Sequence, residues 1–184
     1  MAAFDLERDA NRLDFRLMLH GAVTLFWRSH LFAEAVDWMR EHGYTIVQLD
    51  ASAWTTDDDL HSAIAAALDF PDYYGRNLDA LNDCMRDVVA HAYGTTEDAT
   101  GLLLAFAGYD AFTRGRPRTA QAVLEILADQ ARCAMLTGHR MLCLVQSNDP
   151  RITFEPVGAS PVLWNPAEWL DAKRQPSSVP HPLA

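Results

Sequence analysis

Three short runs constrain the fold more than anything else in the sequence: Tyr44 to Leu49 (YTIVQL), Leu102 to Ala107 (LLLAFA) and Met141 to Gln146 (MLCLVQ). Their near-continuous apolar character is that of strands covered on both faces. Between them, apolar residues recur at helical spacing. Leu60, Ile64, Ala67 and Leu68 fall at i, i+4, i+7 and i+8, behind the acids Asp57 to Asp59, which favour a helix start. Further helices are expected over about 78–91 and 119–136. A strand buried on both faces needs a layer above and below it, and strand–helix–strand crossovers supply those layers. The pattern predicts an α/β fold with a small, mostly parallel sheet packed by helices in three layers.

The flanks read differently. Phe15 to Leu19 and Val23 to Trp27, joined by His20-Gly21-Ala22, have the pattern of a β-hairpin. Ser29 is placed to cap a helix over about 30–42, which Gly43 would end. Arg114 to Arg118 (RGRPR) reads as a turn, and residues 151–164 as two short strands around Val157-Gly158-Ala159-Ser160. The expected organisation is an N-terminal hairpin–helix extension over 1–43 packed on a core of 44–148. A C-terminal strand extension over 149–172 and a Pro- and Ser-rich disordered tail over 173–184 would follow. Trp27, Trp38, Trp54, Trp164 and Trp169 lie mostly in the extensions and are expected to seal them onto the core.

Charge narrows the function. The net charge is −10, and residues 50–98 alone hold 11 acids and 2 bases. A polybasic nucleic-acid or membrane-surface binder is not expected from this balance. An acidic face on a folded element suits a basic partner. Cys84, Cys133 and Cys143 lie too far apart for a zinc knuckle. The charged N-terminus does not read as a signal peptide, and the longest apolar run is too short to span a bilayer, so the expected location is the cytoplasm. No HExxH, GxSxG or Walker-type loop occurs, and no enzymatic activity or cofactor is expected.

The acidity concentrates in residues 71–88, PDYYGRNLDALNDCMRDV. Here Asn77 is placed to cap a helix. Leu78, Leu81, Met85, Val88 and Val89 form one stripe, and Asp79, Asp83 and Asp87 recur at i, i+4 and i+8 on the other side. Like charges one turn apart cost a few tenths of a kcal/mol per pair. Asp79 sits in the first turn, where the macrodipole favours it; Asp83 and Asp87 have no such excuse. The row is either a solvated face, a divalent-cation site or a binding surface for a cationic partner.

The string carried by Pro71, Tyr73, Tyr74, Gly75, Asn77, Leu78, Asp79, Ala80, Leu81, Asp83 and Cys84 resembles the barstar family, the intracellular inhibitors of the ribonuclease barnase. Weaker similarity extends over about residues 44–148. The resemblance implies a three-stranded parallel sheet packed by helices, and inhibition by insertion of the acidic helix and preceding loop into a nuclease active site. It implies contact through Tyr73, Asp79 and Asp83, a loop shaped by Gly75 and Asn77, and a further acid near Asp129. Asp87 extends the row. Asn82 stands where the family has a tryptophan, and Arg76 where it has an acid. The implied partner is a basic ribonuclease or nuclease toxin, and the two departures leave its identity open. An immunity protein or scaffold for another toxin and a divalent-metal enzyme using the aspartate row are the alternatives.

Overall fold

The computed structural model describes residues 2–174. The described chain opens with two short helices, α1 (Leu6–Asp9) and α2 (Leu13–Met18), then β1 (Val23–Phe26), α3 (Ser29–Glu41) and β2 (Tyr44–Asp50). Next come α4 (Asp57–Ala67), α5 (Leu78–Val89), β3 (Gly101–Ala107), α6 (Tyr109–Gly115), α7 (Pro117–Leu136), β4 (Met141–Gln146) and the two-residue β5 (Leu163–Trp164). The strands form one sheet in the order β2-β3-β4-β1-β5, with every neighbouring pair parallel.

The period-2 alternation of the strands explains the layering. Leu102, Leu104 and Phe106 of β3, and Met141, Cys143 and Val145 of β4, enter one buried cluster with residues of α4, α5, α6 and α7. The intervening Leu103, Ala105, Leu142 and Leu144 enter a second cluster with Leu17 of α2 and Phe32, Val36 and Met39 of α3. Three layers result, and α5 lies in the first. Gly101 marks where the layers close tightly: a Cβ there would stand 2.4 Å from the Arg140 carbonyl oxygen and 2.7 Å from the Tyr44 ring.

Five expectations for the flanks are corrected. Residues 15–27 form no hairpin: Leu13–Met18 is helical, and Val23–Phe26 pairs parallel with β4 about 120 residues away. A strand whose partner is that remote leaves only its own short apolar run in the local sequence. Ser29 caps nothing. It begins α3, while the buried Glu168 carboxylate accepts the Trp27 and Arg28 amides at 2.9 Å each. The segment read as a turn around Arg114 overlaps α6, whose Tyr109 and Phe112 are buried. Residues 151–164 contain a tight turn, with one Val157–Ser160 bridge, and β5, which pairs parallel with β1. The expected disordered tail is ordered at its start, since Arg174 is buried and donates to the Pro150, Glu168 and Trp169 carbonyls. The rest of that tail lies outside the described residues.

The N-terminal helices are tied to the sheet by charge. Arg140, at the threshold of β4, reaches Asp9 at 2.8 Å and Asp14 at 3.0 Å, all three side chains being buried. Tyr44 of β2 donates to Asp14 at 2.7 Å. Trp54 packs edge-on against Phe106 and Phe112 in the first cluster, whereas Trp169 is more than half exposed and meets only the edge of the His20 ring among the aromatic contacts of the described residues.

Candidate functional site

Helix α4 is the platform for the loop that follows it. Thr56 and Asp59 form a capping box at its start. The Thr55 and Thr56 amides, seconded by the Thr55 and Thr56 hydroxyls, hold the Asp59 carboxyl down at about 2. Leu60, Ile64 and Leu68 bury one side of α4. Asp58, His61 and Ser62, at i, i+3 and i+4, are left to meet the loop.

That loop is fixed by two contacts on α4. The first is Tyr74, whose hydroxyl lies 2.5 Å from His61 Nδ1 and whose ring packs edge-on against Phe70 at 4.9 Å. Burial holds the His61 imidazole below its usual range; the Asp57 charge opposes this and Arg76 reinforces it. Burial likewise pushes the Tyr74 phenol up. With Tyr74 turned in, its neighbour Tyr73 is turned out and is 79% exposed. The second contact is Arg76, whose Nε stands 2.7 Å from an Asp58 carboxylate oxygen and whose Nη2 donates to the Asp58 carbonyl and the Ser62 hydroxyl. Arg76 has φ +49°, a left-handed conformation that costs a non-glycine residue of order 1 kcal/mol or more. Asn77 then caps α5, accepting from the Ala80 amide at 2.9 Å and donating to the Gly75 carbonyl at 3.2 Å.

On α5, Leu81, Cys84, Met85 and Val88 are buried, and the acids lie toward solvent. Asp79 is exposed and has no ion-pair partner among the described residues. Asp83 is 67% exposed and meets Arg86, itself 61% exposed, at 2.7 Å. Asp87 is half-buried and accepts from Tyr93 at 3.4 Å. Asn82 faces α7: its Oδ1 accepts from the buried Gln130 at 2.8 Å. Asp129, one residue before Gln130, pairs with Arg132 at 2.8 Å. Tyr73, Gly75, Asn77, Asp79 and Asp83 thus share one continuous edge, the loop and first turns of α5. Asn82 is engaged as an internal fastener between α5 and α7, and Asp129 belongs to α7.

Sequence reading missed the Asp58–Arg76, His61–Tyr74 and Asn82–Gln130 contacts. The pairs are 18, 13 and 48 residues apart, and no local periodicity links them. Chemically, the edge offers carboxylates about one helical turn apart, roughly 6 Å between Cβ atoms, beside an exposed phenol. Among the described residues, no three His, Cys, Asp or Glu side chains are gathered as a metal site would need. No described helix is long and apolar enough to cross a membrane.

Comparison with known proteins matches residues 44–146 to the family described as Barstar (barnase inhibitor). The Bacillus subtilis (strain 168) protein YrdF, whose name includes the words ribonuclease inhibitor, is 69% identical over 26 residues. Those residues are 14% of this chain and 29% of YrdF, so the aligned stretch spans less than a third of that relative. The family match runs from the first residue of β2 to the last of β4. It covers more than half of the chain and encloses α4, the Tyr73–Asn77 loop, α5 and α7, and this chain therefore belongs to the barstar family.

Proposed function

We propose that the protein is an intracellular inhibitor of a basic ribonuclease that blocks the enzyme with the edge formed by residues 73–83, and that it performs no chemistry of its own. The observation that carries this reading is the division of α5 and its loop into two sides. One side is buried, and the other presents Tyr73, Asp79 and Asp83 together on a backbone fixed at both ends. Carboxylates one turn apart imitate the repeated charge of a nucleic-acid strand. A nuclease groove built for phosphates would receive them with its own Arg, Lys or His side chains through charge-assisted hydrogen bonds.

Arg86 competes for Asp83. An exposed pair of this kind is worth about 0.2–1 kcal/mol, so releasing Arg86 costs an incoming enzyme cation little, and the desolvated Asp83 would then be needed to pair that cation. Inhibition of RNA cleavage tests the reading. Asp83→Ala is expected to weaken inhibition by about 3 kcal/mol or more, and Arg86→Gln to strengthen it slightly. A wild-type protein that protects RNA from no microbial ribonuclease, with Asp83→Ala indistinguishable from it, would sink the reading.

A second reading keeps the mode and changes the target. Asn82 stands where the resemblance places a tryptophan, and its amide is committed to Gln130. The contact surface at that position is thereby polar and pinned. This favours immunity against a nuclease other than barnase, and a panel of basic nuclease toxins in the same cleavage assay separates the two.

A further inference from the structure

We propose that Arg76 is a positioning residue that clasps the partner-contacting loop to α4, fixing the shape of the 73–83 edge before a partner arrives. The proposal rests on the inhibitor reading for its consequence, but the clasp itself is a property of the free protein.

Between α4 and α5 the chain makes few backbone hydrogen bonds; the Tyr74 amide donates to the Pro71 carbonyl at 2.9 Å. Its conformation depends on side chains. Tyr74 is the inner tether, half-buried between Phe70 and His61, and its loss would disturb the core. Arg76 is the outer one. It is half exposed, yet its guanidinium is turned back onto α4, toward the Asp58 carboxylate, the Asp58 carbonyl and the Ser62 hydroxyl. Ser62 in turn donates to the Asp58 carbonyl at 2.7 Å. A single exposed ion pair would hold little. Three acceptors taken by one planar fork define a geometry that a lysine cannot reproduce. The left-handed backbone at Arg76 stands immediately before the Asn77 cap. Holding it there directs the chain into α5 and leaves Tyr73 outside.

Arg76 is also a cation on an edge otherwise suited to a cationic enzyme. Pairing with Asp58 neutralises it, so the residue that fixes the loop does not repel the partner. A loop ordered in advance loses less conformational freedom on binding.

The test measures amide hydrogen exchange at residues 73–77 in the free protein, and the kinetics of binding to barnase, for Arg76→Ala, Arg76→Lys, Asp58→Ala, Arg76→Ala/Asp58→Ala and the charge swap Arg76→Asp/Asp58→Arg. Arg76→Ala and Asp58→Ala are each expected to speed exchange by about fivefold, the size of one multidentate surface contact. The double variant should be no faster than either, Arg76→Lys intermediate, and the charge swap partly restored. Inhibitor association should slow in the same order. Unchanged exchange in Arg76→Ala, or additive effects in the double variant, would overturn the clasp. So would tighter binding by Arg76→Ala with Asp58→Ala silent, which would place Arg76 against the enzyme. If wild-type protein leaves barnase uninhibited while the exchange pattern holds, the barnase target fails and the clasp is supported.

Discussion

At the residue scale, the acids on and around the candidate surface carry their own counter-charges. Asp83 pairs with Arg86, Asp129 with Arg132 and Asp58 with Arg76. The first two are i,i+3 pairs and are visible in the sequence, where Arg86 already lies among the aspartates. The third spans two elements and is not. The same division applies to histidine: nothing in the local sequence sets His61 apart from the chain's other histidines, and only packing brings Tyr74 onto its Nδ1. Burial lowers the His61 pKa in the folded state. Above about pH 6.5 the ring is neutral whether the chain is folded or not. As pH falls below that value the unfolded chain takes up the proton first, so folding stability declines toward the lower folded pKa. Urea unfolding between pH 7.5 and 5 should show this decline, and His61→Gln should flatten it. An equally steep decline in the variant would mean that other groups set the slope.

At the element scale, legibility followed length. The frame of helix α5 is readable: its cap at Asn77, its apolar stripe and the exposed Asp79 and Asp83 each follow from residues within one 12-residue helix and its flank. The cap can be tested alone. Asn77→Ala should cost about 1 kcal/mol and Asn77→Gly only a few tenths, measured as the shift in denaturation midpoint at constant m-value. An Asn77→Ala protein as stable as the wild type would show that the Asn77 side chain does no capping. Helices α2 and α6, of six and seven residues, were misread, because a run of two turns carries too few periodic positions to separate helix from strand or turn. The N-terminus of α3 was misassigned for a different reason. The Trp27 and Arg28 amides that lead into it are held by Glu168, about 140 residues downstream, which no local rule can supply.

For the whole molecule, the matched family region is three strands of a five-stranded sheet. β1 and α3 precede that region in sequence, yet β1 lies beside β4 and α3 covers the second face. A fragment of residues 44–146 would uncover Leu103, Leu142 and Leu144. At about 1.5–3 kcal/mol per buried leucine, that loss is comparable to the typical net stability of a domain, about 5–15 kcal/mol. The fragment is therefore expected to aggregate or bind a hydrophobic dye, read by size-exclusion chromatography and dye fluorescence; a monodisperse, cooperatively unfolding monomer would refute this. The sequence alone determined the buried strands, the α/β class and the acidic helix, because burial on two faces and one-turn charge spacing are written into neighbouring residues. Tertiary structure decided where β1 enters the sheet, how Glu168 and Arg140 lock the flanks, and how α4 holds the loop through His61, Asp58 and Ser62. Those contacts join residues far apart in the chain, and their energy exists only once the layers have closed.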